Sequence, residues 1–358
     1  MSNPFAPVPP NIRPPGNLSN LQSRITAYAR ESGLSVSRLS QRILTEVMFG
    51  LLERARTLGV IEMYLAKGGM ALELRFGIRA RASGDLDIGI TSGGEDLLTV
   101  FDRALRVGFD DFSFERRDSP EILENADTFR LKVKVAYRGR PFGTLSVDLN
   151  EADHETATTI HSTGVLVALG LPGPLDVPLL DPYIQLAHKL HGATEPDRAD
   201  YTNRRHRDLL DVLVMTTDAS LSLNLIYLRY VAIAEFARRR HHTRWPPIFA
   251  LPFAWRTELA RDAKEILLES SDPDELARRF IRFIVAIEGI AVKQTLEYRF
   301  HAIQLNLTGA EPLTAQANEE LESYARDGWR VLHIGPRPGM VDQYLAVLER
   351  PVGDAPTA

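Results

Sequence analysis

The chain has 358 residues, no cysteine and a formal net charge of −5. At about 150 residues per domain the length predicts two domains, or one large domain with appendages, and 44% hydrophobic with 25% charged residues predict a buried core rather than a disordered chain. The missing cysteines exclude a disulfide framework, an iron–sulfur cluster, a cysteine-ligated zinc and a cysteine nucleophile. The mild acidity argues against nucleic-acid binding over the whole surface and leaves room for a local basic patch.

Residues 1–16 hold Pro4, Pro7, Pro9, Pro10, Pro14 and Pro15. Proline fixes φ and removes a donor, so an extended tail is expected there, with no regular element. Apolar spacing then predicts a helix after Asn17 and a second from about Ser37 to Leu58. A strand is expected at Glu62–Ala66, a helix at Met70–Phe76, a strand at Asp85–Ile90 and a helix at Glu95–Gly108. Phe129–Tyr137 alternates cleanly: Leu131, Val133 and Val135 share one face, Arg130, Lys132 and Lys134 the other. Arg138-Gly139 is a plausible hairpin turn into a return strand, Phe142–Leu149, with Asp148 on its polar face. From Pro182 to Ile290 the pattern is helical, broken near Trp245-Pro246-Pro247. The last 65 or so residues change to strand, helix and two short strands.

No apolar run approaches the ~18 residues needed to span a bilayer; Val165–Leu171 is too short. No basic region followed by an apolar one opens the chain. A cytoplasmic protein without a membrane partner is therefore expected.

The chemistry concentrates in Lys67-Gly68-Gly69 and in Ser83-Gly84-Asp85-Leu86-Asp87. Two glycines between a strand and a helix let backbone approach a ligand, and the free N–H groups of a helix start favour phosphate. Asp85 and Asp87, two apart on one strand, share a face at about 7 Å. Carboxylates that close repel by roughly 3 kcal/mol at an effective dielectric near 20, and a divalent cation such as Mg²⁺ relieves this. Taken singly, Asp-x-Asp is often a solvated strand edge and Gly-Gly a turn. Their order, with Asp148 as a third acid on a later strand, is the layout of the nucleotidyltransferase superfamily: a short sheet with three carboxylates for two metals and a glycine-bearing helix start for a triphosphate.

The run Leu65–Gly77 followed by Arg81–Asp87 resembles the first motif of the AbiEii family, nucleotidyltransferase toxins of type IV toxin–antitoxin systems. Ile184–His191 and Arg207-Asp208-Leu209-Leu210-Asp211 resemble its lysine motif and its Arg-Asp-x-x-Asp motif. The hairpin Tyr137–Phe142 and Trp245-Pro246-Pro247 look like the MenT branch. The resemblance covers roughly residues 15–290. Gly84 stands where many members have a charged residue, which loosens the turn before Asp85 and removes no metal ligand.

The resemblance implies an α+β fold: a polymerase-beta-like mixed sheet with helices, then a helical region, then a small C-terminal α+β module similar to an uncharacterised bacterial domain. The expected divisions are 1–16 (tail), 17–180 (catalytic), 181–292 (helical, completing the active site) and 293–358 (module). Trp329 in the module reads as core. The implied activity is Mg²⁺-dependent transfer from a nucleoside triphosphate to the 3′ end of tRNA, which blocks aminoacylation and translation, with a cognate antitoxin as partner. Asp85, Asp87 and Asp148 would hold metal. Lys67, Gly68, Gly69, Ser83 and Lys189 would line the nucleotide site. Lys189 and Asp211 join the three acids as catalytic residues.

Each assignment has a plainer reading. Lys189 could be a solvated helix lysine, and Asp208 and Asp211 could form exposed i, i+4 ion pairs with Arg204 and Arg207. His188 and His191 could be half a metal site or neither. Ser83 could be a turn serine; by resemblance it is the rim serine phosphorylated in some MenT-type toxins, where added charge beside Asp85 and Asp87 would oppose metal and triphosphate. Arg238, Arg239, Arg240 and Arg244 form a basic cluster in an acidic chain and are expected to contact RNA, though a basic run is often only a solvated face. Two rival functions stand: a nucleotidyltransferase acting on a protein or small molecule, and a catalytically silent binding protein.

Overall fold

The structure is a computed structural model. It describes all residues except 1–3, 82, 124–127, 153–156, 162–163, 200, 219–220, 240–242, 290–295, 305–314, 328, 337–342 and 352–358. Arg240, His241, His242 and the expected boundary near Val292 lie outside the described residues. The chain divides into two compact units that part after Leu180.

In the first unit, β1 (Phe5–Ala6) is followed by α1 (Leu18–Ser32), α2 (Val36–Thr57), β2 (Tyr64–Ala66), α3 (Gly68–Phe76), β3 (Asp85–Ile90), α4 (Leu97–Val107), β4 (Phe112–Arg116), β5 (Glu121–Leu123), β6 (Thr128–Tyr137), β7 (Arg140–Glu151), β8 (Ala157–His161), α5 (Val165–Ala168), β9 (Gly173–Pro174) and β10 (Asp176–Leu180). Among the described residues one mixed sheet runs β4-β6-β7-β3-β2-β10-β8, with β5 also on β6. The pairs β3–β7 and β2–β10 are parallel.

Strand alternation decides which face is buried. Leu86, Ile88 and Ile90 of β3, Leu131, Val133 and Val135 of β6, and Leu145, Val147 and Leu149 of β7 join one core with Leu39, Ile43, Val47 and Leu51 of α2 and Val100, Phe101 and Ala104 of α4. The intervening residues, among them the acids, face away from this core, as expected for a sheet with one polar face. Asn17 and Ser35 cap α1 and α2 by accepting from Asn20 N and Arg38 N.

The proline-rich start is extended, but it does form a regular element. Phe5 and Ala6 pair antiparallel with Pro174 and Gly173. The strap is tied down further along: Tyr137 Oη donates to Pro15 O at 2.7 Å and Arg138 Nη1 to Gly16 O at 2.8 Å. Proline tolerates such an edge pairing because only alternate N–H groups are needed.

The second unit contains α6 (Pro182–Thr194), α7 (His206–Thr217), α8 (Leu225–Arg239), α9 (Arg256–Glu265) and α10 (Pro273–Gly289), then β11 (Leu296–Gln304), α11 (Ala315–Arg326), β12 (Arg330–Pro336) and β13 (Gln343–Pro351). Helix α6 starts on Asp181, whose Oδ1 accepts from Tyr183 N and Ile184 N, with Pro182 in the first turn. It packs on α7 and α8. The three C-terminal strands form an antiparallel sheet in the order β11-β13-β12, and Trp329 is buried with Ala317, Ala346 and Leu348. Among the described residues no helix is long and apolar enough to cross a membrane.

Candidate active site

The polar face of the first unit is built around β3. Its parallel register with β7 sets Asp87 beside Asp148 and Asp85 beside Ser146. The three expected acids thus share one face of two adjacent strands, Asp85 exposed and the other two half-buried. Asp148 is not bare: Arg130 of β6, its cross-strand partner, donates from Nε to Oδ1 and from Nη2 to Oδ2, both at 2.8 Å. That contact, with Asp85 also acting on it, pushes the Arg130 guanidinium further up, although partial burial works against it.

The glycine pair lies at the same place. Lys67 N donates to Asp87 O at 2.9 Å, which closes the β2–β3 ladder at the start of α3. Gly68 has φ of +60°, and a Cβ on it would sit 2.9 Å from Asp87 Oδ2. Conformation and space both demand glycine there. The next residue, Gly69, lies against the Arg81 guanidinium, with a hypothetical Cβ 2.8 Å from Nη2. The Lys67 side chain is buried and crosses Gly89 to donate to Asn150 Oδ1 at 2.8 Å. Lys67 and Arg81 both lie within the motif read from the sequence, Arg81 with no role given to it, whereas Arg130 and Asn150 lie outside it. Arg130 and Asn150 are legible only once the β6–β7–β3 register is known.

Ser83 is buried. Its hydroxyl donates to Asp85 O at 2.9 Å and its N–H to Glu73 Oε2 at 3.3 Å. Glu73 is paired with Arg38, which also donates to Ala80 O. This network joins α2, α3 and the turn before β3, and so fixes where Asp85 begins the strand.

In the second unit, Lys189 of α6 points at α7. Its Nζ lies 2.6 Å from Asp208 Oδ1 and 2.9 Å from Asp211 Oδ2, and all three side chains are largely buried. Asp208 also accepts from Arg205, at 3.3 Å. Gly192 makes room for that pair: a Cβ on it would lie 2.4 Å from Asp208 Oδ2. The i, i+4 surface pairs weighed for Asp208 and Asp211 do not describe this cluster, and Arg207 turns instead to Asp262 at 3.2 Å.

The basic cluster is partly spent internally. Glu235 is buried and accepts from Arg238 at 2.9 and 3.0 Å and from Arg239, with His188 Nε2 at 3.0 Å. Burial opposes the charge of Glu235, yet His188 and the two arginines hold its carboxyl well below the usual range. His191 is buried against Phe236, and burial followed by Arg239 pushes its imidazole down to about 4. Arg244 is exposed.

Hard oxygen donors suit a hard divalent cation. Asp85 and Asp87 fit that requirement in their chemistry: Asp85 is exposed, and Asp87 is half-buried against Gly68. A second acidic group, His206, Glu258 and Asp262, also clusters. There Arg207 and Arg261 already engage the carboxylates, so the group reads as an ion-pair network.

The family model described as nucleotidyl transferase AbiEii toxin of type IV toxin–antitoxin systems matches residues 61–322, well over half of the chain. The chain belongs to the AbiEii family. This stretch includes the glycine pair, the three acids and the Lys189 cluster. Among solved structures, the MenT4 nucleotidyltransferase toxin of Mycobacterium tuberculosis H37Rv is 16% identical over 74% of this chain and 98% of its own, with a TM-score of 0.41. An antigenic nucleotidyltransferase-like protein from Paracoccidioides brasiliensis is also 16% identical, over 56% of this chain and 88% of its own, with a TM-score of 0.35. The antibiotic-resistance factor ANT(2'')-Ia is 13% identical over 55% of this chain and 94% of its own, with a TM-score of 0.32. No curated protein matches the sequence.

Proposed function

We propose that this AbiEii-family protein is a toxin that transfers nucleotides from a nucleoside triphosphate to the 3′ end of tRNA, with Mg²⁺, and is countered by a cognate antitoxin in the cytoplasm. The observation that carries the reading is the Asp87–Asp148 register with Gly68 pressed against Asp87. It joins carboxylates and a phosphate-favouring helix start at one point, which neither a turn nor a solvated strand edge requires.

Asp85, Asp87 and Asp148 form the ligand set, and Arg130 is the internal counter-ion of the third. A bound divalent cation would offset charge on the phosphates and on the attacking and leaving oxygens. The first-turn N–H groups of α3 bind phosphate oxygens. Lys67 acts on the site from Asn150 and steadies the β2–α3 turn. Ser83 holds the Asp85 backbone; a phosphate on its hydroxyl would break that bond and add negative charge beside the ligands. Lys189 serves the triphosphate as a point charge. Asp211 either orients Lys189, with which it is paired, or accepts the attacking hydroxyl's proton.

The rival in which a protein or small molecule is modified shares the same ligand set and differs only in the acceptor. The test is to incubate the purified protein with each labelled triphosphate, bulk tRNA and total protein, then sequence the labelled RNA ends. Label on tRNA 3′ ends supports the proposal; label on protein alone selects the rival.

A further inference from the structure

The sheet face that carries the acids also carries a row of cations. On β6, Arg130, Lys132 and Lys134 alternate with buried Leu131, Val133 and Val135, so they share one face at a repeat of about 6.6 Å. Their partners across β7 are Asp148, Ser146 and Thr144. The row therefore begins at the acids, since Asp148 faces Arg130 on one side and Asp87 on the other. It ends at an open hollow of about 460 Å³ whose lining includes Lys134, Thr144, Ser113 and Glu115.

The charges along the row are unequal. Arg130 is offset by Asp148. Lys132 donates to the neutral Ser146 hydroxyl at 2.7 Å. Both lysines are exposed, and among the described residues neither has a carboxylate within ion-pair distance. On the other side Lys134 lies opposite Glu115 of β4, so its charge is offset in part and that of Lys132 least. Two exposed cations on a rigid strand, at a spacing close to that of successive phosphates on an extended chain, match a single phosphodiester backbone. A row one strand wide contacts one backbone, not the two of a duplex.

We propose that Lys132 and Lys134 are the track for the single-stranded acceptor end of the RNA substrate, an inference that rests on the RNA-acceptor reading above. The backbone runs along β6 over the Ser146 and Thr144 hydroxyls, and the terminal hydroxyl arrives at Asp85 and Asp87. An upstream base lies at the hollow, where Ser113 and Glu115 offer a donor and acceptors to its edge. Arg238 and Arg239, already drawn onto Glu235, have less charge to give.

The test uses the full-length protein, its Lys132→Ala/Lys134→Ala variant and Lys134→Glu alone. Binding of a fluorescein-labelled single-stranded RNA oligonucleotide is followed across a salt series, and binding of a fluorescent triphosphate analogue in parallel. Losing two phosphate contacts should weaken RNA binding by about tenfold and flatten the salt slope by about 1.4, at ~0.7 per contact on a single strand. Triphosphate affinity should stay within about twofold, because neither lysine adjoins the α3 start. Circular dichroism confirms folding; should the double variant fold poorly, Lys134→Glu is judged by the same criteria. Unchanged RNA affinity and slope in a protein that labels RNA would overturn the track and leave the RNA-acceptor reading standing. Equal loss of triphosphate binding would assign the lysines to the nucleotide and overturn it too. A wild-type protein that labels protein and never RNA would overturn both.

Discussion

Arg130 holds Asp148 by two parallel hydrogen bonds of 2.8 Å, one strand away from the Asp87 that Asp148 also faces. A third carboxylate beside two others is thereby supplied with a counter-charge of its own. Arg130→Gln should raise divalent-cation affinity severalfold, because it removes a positive charge from the ligand set. Titration with Mn²⁺ by calorimetry checks this. Weaker binding in the variant would show that Arg130 orders Asp148 for the metal more than it repels the metal.

Gly68→Ala should damage both fold and chemistry. A side chain at φ of +60° costs about 1 kcal/mol or more. Its Cβ would also push on Asp87 from 2.9 Å. A drop in melting temperature together with loss of turnover is expected. Wild-type turnover would mean that the α3 start can shift without consequence and that Asp87 is not at the reacting centre.

Lys189→Ala should destabilise the protein by about 3–5 kcal/mol, since it leaves the buried Asp208 and Asp211 without their shared cation. Denaturant unfolding measures it. Retained stability would mean the cluster is solvated in solution. Loss of triphosphate use by this variant must accordingly be read beside its folded fraction.

Much of this site was legible in one dimension. Asp85–Ile90 announced itself by alternation, and Phe129–Tyr137 showed its cation row. What alternation cannot show is which residue lies opposite which. At the Arg138-Gly139 turn the pairing starts as Tyr137 with Arg140 and Ala136 with Pro141, then an irregularity shifts it by one so that Val135 faces Gly143. Without that shift Arg130 would face Val147, not Asp148, and the polar residues of the two strands would fall on opposite faces. No strand is expected from the sequence between Leu149 and Pro182, where Gly173-Pro174 and Pro178 interrupt the pattern, yet β10 pairs along its length with β8. The basic run at Arg238 suggested an open surface; the buried Glu235 that gathers it three residues earlier gave no sign of burial in the sequence.

His191 predicts a pH effect with a definite sign. Its pKa is depressed to about 4 in the fold by burial and then by Arg239, with Arg205 and His188 acting the same way and Glu235 opposing them. The unfolded chain protonates near 6.5, so stability is full above that pH and falls as pH drops toward 4, by at most about 3 kcal/mol. Glu235 stays charged through this window. Comparing unfolding of the protein with His191→Leu from pH 7 to 4 isolates the effect. The wild type should lose stability relative to the variant as pH falls, and a constant difference would contradict a buried neutral imidazole.

The β3 acids are the centre of the proposed chemistry. The direct measurement is transfer of α-labelled nucleotide to tRNA by the wild-type protein and by Asp87→Asn, each with Mg²⁺ and with chelator. Labelled tRNA with wild type and Mg²⁺, and none in the other three reactions while Asp87→Asn keeps its circular dichroism spectrum, is the predicted result. Undiminished labelling by Asp87→Asn, or by the wild type under chelator, would contradict it.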